Sequence, residues 1–300
     1  PVKTTHLFCN ALNFLTDYCG TTALLCTATQ PLLNQLKRPE LGELNIPLEN
    51  ELISDVSQLF EDLKRVEVNN LCKPLGWSEQ EISNLAIDQL KEIGSCLVIV
   101  NTKNWAKKLY EVMQNQVDDE SIFILSTNLC PAHRKTIFSK MKKRLKEGVP
   151  VLCISTQLIE AGVDVDFGSV IRFLAGLDSI AQAAGRCNRN GKRELSSVYV
   201  VNPDEEKIDL LHDIKVGRDK AQMLLDEGVD ELLSPEAMSL YFKHYFYHPE
   251  REKEMVFPLK ENPEENILNL LSLNSHIPIK QIHHPDFPFL KQSFMTAGKA

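Results

Sequence analysis

Apolar residues along this chain gather in short continuous runs rather than in alternation. ALLCTA (23–28), CLVIVN (96–101), IFILS (122–126), VLCIS (151–155), SVIRFL (169–174) and SVYVVN (197–202) each place four or more hydrophobic residues in five or six positions. Strands buried on both faces have this pattern. RVEVNN (65–70) predicts a further strand opening the same unit. Between several runs the spacing turns helical: NWAKKLYEVMQ puts Trp105, Leu109 and Val112 on one face, and TIFSKMKKRL does the same for Ile137, Met141 and Leu145. Strand and helix in alternation predict an α/β fold, a parallel sheet with helices on both faces, over residues 65–203. Residues 1–64 carry one good strand and scattered helices. Residues 204–300 are expected to be mostly helical.

Composition leaves that picture in place and removes some functions. The 300 residues are 43% hydrophobic and 25% charged, as in ordinary globular proteins. No apolar stretch approaches a membrane span and no signal peptide opens the chain, so no membrane partner is expected. The eight cysteines never stand closer than seven apart. That excludes CxxC zinc spacing, and most lie in apolar runs as small hydrophobes, which reads as a reduced, cytoplasmic protein without a metal site of its own. Beginning at Pro1 and stopping at SFMTAGKA, the chain reads as a segment of a longer protein.

Net charge is −8, but unevenly spread. From 131 to 148, PAHRKTIFSKMKKRLKEG carries seven Lys/Arg and one Glu, whereas 203–270 holds 17 acidic against 8 basic residues. Taken alone, the basic run reads as a solvated helix face. The dense aromatics of YFKHYFYHPEREKEM (241–255) read as a small core rather than a base-stacking platform.

Ligands of open parallel sheets bind at the carboxyl ends of strands, so the residues just after each run carry the candidate chemistry. They are Thr27 and Thr29, Thr102 and Lys103, Thr127 and then Arg134, and Thr156 and Gln157 followed by Gly162 and Asp164. After the fifth run comes QAAGRCNRNGK (182–192). On a helix stopped by Asn190-Gly191, Gln182, Arg186 and Arg189 would form one polar stripe. Hydroxyls, amides and cations suit phosphate oxygens. Each residue also has a plainer reading, as helix cap, turn glycine, loop carboxylate or complement to a helix dipole.

The order of these segments resembles a superfamily 2 helicase, and closely a CRISPR-associated helicase-nuclease of type I interference systems. LLCTATQPLL (24–33) is similar to helicase motif III, LVIVNTKNWA (97–106) to motif IV and LSTNLCPAHR (125–134) to the motif after it. ISTQLIEAGVDVDF (154–167) resembles motif V, and DSIAQAAGRCNRNGKRE (178–194) motif VI. The resemblance implies a RecA-like sheet at 65–203, the tail of a preceding RecA-like domain at 1–64, and at 204–300 the start of an accessory region. It implies that Arg186 and Arg189 are arginine fingers toward ATP, with Gln182 orienting the nucleotide side. Gly185 would allow close approach, and Gly162 and Asp164 would lie near the nucleotide. Thr102, Lys103, Thr127, Arg134, Thr156 and Gln157 would face single-stranded DNA, and Thr27 and Thr29 would couple the two activities. The implied partners are single-stranded DNA and a CRISPR RNA-guided surveillance complex; the implied cofactors are ATP and Mg, held mainly outside this segment.

No G-x-x-x-x-G-K-[ST] phosphate loop occurs: Gly191-Lys192 and Gly298-Lys299 are followed by Arg and Ala. No strand-then-carboxylate Mg site precedes motif III, no HD-type nuclease cluster is present, and SVYVVNPDEE, which superficially resembles a Mg site, reads as an exposed loop. This chain by itself is therefore expected to hydrolyse ATP negligibly. Two other readings remain open, a non-catalytic RecA-like docking module for a protein partner and an RNA-directed helicase of the same superfamily.

Overall fold

A computed structural model describes residues 2–27, 29, 31–47, 50–53, 55–160, 163–259 and 266–268. The chain divides into two compact units, one drawn from 1–27, 31–52 and 242–300, the other from 28–30 and 53–241.

The larger unit is built on six parallel strands: β1 (Val66–Asn70), β2 (Ser95–Ile99), β3 (Ile122–Leu125), β4 (Val151–Ser155), β5 (Ser169–Phe173) and β6 (Ser196–Val201). Their spatial order is β1-β6-β5-β2-β4-β3, every pair parallel. Six of the seven expected strands are therefore present. The run 23–28 is the exception. Residues 20–27 are irregular, and Leu24 is 69% exposed. An apolar run becomes a strand only where another strand accepts its backbone hydrogen bonds, and no ladder includes these residues.

Alternation along the strands separates two cores. Cys96 and Val98 of β2 join Leu152 and Ile154 of β4 under α3 (Glu79–Ile93) and α4 (Lys103–Met113). Leu97 and Ile99 face the other way, with Cys153, under α5 (Pro131–Glu147) and α6 (Leu177–Ala184). β2, β4 and β5 are central and covered on both faces, which is why their sequences are mostly apolar, with Arg172 of β5 the charged exception. α3 starts at a capping box in which Ser78 Oγ accepts from Glu81 N and Glu81 accepts from Ser78 N, and ends at Gly94 in the left-handed region. Three more helices are α7 (His212–Asp226), the short α2 (Val56–Asp62) and α8 (Pro235–Phe246), whose residues from Phe242 on belong to the smaller unit. Tyr241, Phe242 and Phe246 of α8 are buried, as expected of a core.

In the smaller unit, α1 (Thr5–Cys19) buries His6 and Cys9, and His6 Nδ1 lies 2.7 Å from the Gly42 carbonyl. A short helix, α9 (Pro249–Glu254), carries Glu252, paired with Lys37 at 3.0 Å. No described helix is long and apolar enough to cross a membrane.

Candidate nucleotide and nucleic-acid edge

β2 is followed by α4 on one face of the sheet, while its neighbours β4 and β5 lead to segments packed on the other. Connections that part in this way open a crevice at the carboxyl ends of the strands. Here the crevice is occupied by charge. Arg172 on β5 is wholly buried, and its Nε stands 2.9 Å from Glu160 Oε1, out of line for a hydrogen bond. Its Nη1 donates to Asn101 Oδ1 at 2.6 Å and to the Phe173 carbonyl at 2.8 Å. Asn101 Nδ2 in turn donates to the Leu174 carbonyl and to Glu206 Oε2, at 3.1 and 3.0 Å. Burial raises the carboxyls of both Glu160 and Glu206 above the ordinary range, against the pull of Arg172. Two carboxylates, one guanidinium and one amide thus tie together the segments that follow β2, β4, β5 and β6.

SVYVVNPDEE does not behave as a simple exposed loop. Asp204 and Glu205 are exposed, but Glu206 turns inward to Asn101, and the Glu205 carbonyl accepts from Trp105 Nε1 at 2.9 Å. Pro203 ends the strand and lets the chain fold back over α4. A polar cavity of about 330 Å³ opens beside it, lined by Leu174, Asn202, Asp204, Glu206, Arg218 and Gln222.

The expected DNA-facing residues lie on this same edge. β3, β4 and β2 are adjacent, with Leu125 and Ile99 both in register with Ser155, so Thr127, Thr156 and Thr102 follow neighbouring strands. Thr102 caps α4, its Oγ1 accepting from Trp105 N at 3.3 Å. A capping oxygen keeps its own proton to donate. Lys103 and Thr127 are exposed, and Arg134, Thr156 and Gln157 half-buried. Of the expected coupling residues, Thr27 is exposed and Thr29 half-buried. Gly162 lies outside the described residues.

The helical stripe of Gln182, Arg186 and Arg189 does not form. α6 stops at Ala184, and the arginines sit on the turns beyond it. The chain leaves the helix because its backbone pairs with the segment before β5 instead: Phe167 N donates to the Arg186 carbonyl and Asn188 N to that of Phe167, each at 2.9 Å. Asn188, buried and at φ 46°, holds the turn by accepting from Arg193 N and donating to the Arg193 and Arg65 carbonyls. Asp166 accepts from Arg189 N and from Asn190 Nδ2, at 2.8 and 2.9 Å. Gly185 is in ordinary helical geometry, and a Cβ there would meet nothing closer than the Gln182 carbonyl at 3.4 Å. Gln182 is half-buried on the last turn of α6.

The two arginines differ in how they are held. Arg186 donates from Nε and Nη2 to the Ile159 and Glu160 carbonyls, and burial lowers its basicity. Arg189 is 43% exposed, its guanidinium paired with Asp164 at 3.1 Å, and Asp164 is itself 77% exposed. Surface pairs of this kind contribute about 0–1 kcal/mol. Arg186 is a fixed brace, whereas Arg189 leaves its partner at little cost.

Residues 92–192 match the family model described as "CRISPR-associated nuclease/helicase Cas3, C-terminal". This segment is Cas3-like. The Cas3 of Methanothermobacter thermautotrophicus is 30% identical over 161 residues, 52% of this chain and 19% of that protein. That of Haloferax volcanii is 39% identical over 93 residues, 29% of this chain and 10% of that protein. The chain thus spans a fifth or less of the curated relatives it matches. The crystal structure of T. fusca Cas3 superposes on 64% of this chain and 25% of its own, with a TM-score of 0.51 at 16% identity. That likeness establishes a shared RecA-like helicase-type fold. The Cas3-like segment runs from the end of α3 through Lys192, and so contains the edge threonines, both arginines and, of the buried ion network, Asn101, Glu160 and Arg172 but not Glu206.

Sequence reasoning passed over Arg172, Asn101 and Glu206. A signal for Arg172 was present: an arginine between apolar neighbours inside a buried strand must find a buried partner.

Proposed function

We propose that this chain supplies one wall of the nucleotide cleft, and half of the strand path, of an ATP-dependent single-stranded DNA translocase acting in CRISPR interference. The observation that carries the reading is Arg189: an accessible guanidinium on a turn pinned through Asp166 to the motif V segment, the segment that contains Thr156. Arg186, spent on two backbone carbonyls, keeps that turn against residues 159–160. Asp164 is a parking partner for Arg189, and a phosphate displaces it, because charge-assisted bidentate bonds are stronger than an exposed pair.

The residues fit a phosphate and not a divalent cation. Among the described residues no three His, Cys, Asp or Glu side chains converge to hold a metal, so any Mg accompanies the nucleotide on the opposite wall. Bound ATP supplies the driving free energy. Arg189 would hold its phosphate, and the hydroxyls of Thr102, Thr127 and Thr156 with the cation of Arg134 would hold a DNA backbone without reading bases. Such a path suits recruitment by an RNA-guided surveillance complex, which leaves sequence recognition to base pairing.

The test is ATP turnover in an enzyme that joins this segment to a phosphate-binding loop. Arg189→Ala should remove DNA-stimulated hydrolysis, an arginine finger being worth about 10³–10⁵ in rate, while urea unfolding stays unchanged. Turnover equal to the parent's would defeat the assignment and favour the docking-module reading.

A further inference from the structure

Helix α5 carries charge as no other described helix does. Over Pro131–Glu147 it holds seven Lys/Arg against Glu147 alone, in a chain of net charge −8. Packing sorts these residues. Met141 is buried, with Arg134, Ile137, Phe138, Arg144 and Leu145 half-buried around it. At 100° per residue, Lys135, Lys142 and Lys146 fall together on one outer flank, and all three are exposed. The ion pairs of this helix, Lys143 with Glu147 and Arg144 with Glu120, leave that flank untouched. Lys142 and Lys146 are like charges at i,i+4, as are Lys140 and Arg144, and such pairs destabilise a helix. A helix face that meets only water interleaves opposite charges instead: α4 pairs Lys107 with Glu111, and α7 carries three acids and three Lys/Arg.

The spacing matches a polyanion. Lys135 and Lys142 are about 10 Å apart along the axis, and Lys142 and Lys146 about 6 Å. Successive phosphates of a single strand are spaced on the same scale, so each lysine can meet a different one. α5 begins just after the β3 edge segment and returns toward the start of β4. Its flank therefore descends from the edge where Thr127 and Arg134 stand.

We propose that the Lys135–Lys142–Lys146 flank of α5 is a second phosphate-contact surface and that its partner is the backbone of a single-stranded nucleic acid leaving the sheet edge. The proposal rests on the DNA-path reading above for the identity of the polyanion.

The experiment is fluorescence anisotropy of a labelled oligothymidylate with the 300-residue chain over a series of salt concentrations. Each phosphate contact contributes about 0.7 to the slope of log K against log salt for a single strand. Lys135→Gln/Lys142→Gln/Lys146→Gln should weaken binding and make that slope less negative by about 2, and Lys142→Gln alone by about 0.7. Lys107→Gln on α4 should leave it unchanged. Circular dichroism checks the fold of the triple variant; should it unfold, Lys142→Gln decides. An unchanged slope in the Lys variants while Arg134→Ala weakens binding overturns the flank and leaves the edge standing. Unchanged binding in the Lys variants and in Arg134→Ala alike overturns both. A chain that does not bind the oligonucleotide, or a slope change seen only with duplex DNA, also overturns the proposal.

Discussion

Arg172→Met removes the one cation from the buried crevice while keeping a side chain of similar length. Glu160 then loses its ion partner at 2.9 Å, Asn101 Oδ1 its donor at 2.6 Å, and the Phe173 carbonyl its donor at 2.8 Å. Breaking a buried pair from one side costs about 3–5 kcal/mol. The lower part of that range applies, because Arg172 Nη2 has no hydrogen-bond partner among the described residues and Nε is misaligned, so the network is incompletely satisfied to begin with. Even about 3 kcal/mol is a large share of the ~5–15 kcal/mol by which domains are stable. At about 2–4 °C per kcal/mol for a unit of this size, melting should fall by roughly 6–12 °C. The loss should shrink at acid pH, where Glu160 can take a proton and no longer needs a cation. Arg172→Met/Glu160→Gln should be more stable than Arg172→Met, because a neutral amide replaces the stranded charge. Thermal and urea unfolding followed by circular dichroism at two pH values measure all of this. A loss below about 1 kcal/mol, or single-variant losses that simply add in the double variant, would show that the crevice is not electrostatically coupled.

Three further outcomes are expected. Arg186→Ala should destabilise the fold by about 1–3 kcal/mol, because two backbone carbonyls lose a charged donor, whereas Arg189→Ala should stay within about 0.5 kcal/mol; chemical denaturation of both variants shows the contrast. Burial raises the Glu160 and Glu206 carboxyls, so the folded state binds more protons than the unfolded one once pH passes the ordinary glutamate range. Stability should therefore fall as pH rises from that range to the raised values, and Glu206→Gln should flatten the profile measured by urea midpoints. Alkylation followed by mass spectrometry should label Cys19, Cys26 and Cys130 quickly, since these are exposed. Cys96 and Cys187, buried and pushed up to about 12, should label only on unfolding, as should Cys9, raised to about 11.

How much could be read beforehand depended on whether the information was local. Runs such as VLCIS and CLVIVN announce strands covered on both sides, and the spacing of Trp105 and Leu109 announces a helix, because burial acts residue by residue on a fixed period. ALLCTA shows the limit. Its composition is the same, but a strand also needs a partner's backbone, which composition does not record. QAAGRCNRNGK shows another. Helical spacing would have aligned Gln182, Arg186 and Arg189, but the hydrogen bond from Phe167 to Arg186, nineteen residues apart in the chain, ends the helix at Ala184 and sends the two arginines to different surroundings.

Readable from the chain alone are the α/β architecture, the position of Thr102, Thr127 and Thr156 just after their strands, and the kinship carried by the order of the motifs. All three follow from short-range patterns. The three-dimensional fold makes Arg186 a brace and leaves Arg189 accessible beside Asp164. It alone brought Glu160, Arg172, Asn101 and Glu206, from four segments, into one buried ion network, and separated the lysines on the outer flank of α5 from the arginines on its inner face. A guanidinium is the same group in both places. What differs is how much water, and which distant backbone carbonyls and carboxylates, the fold leaves around it.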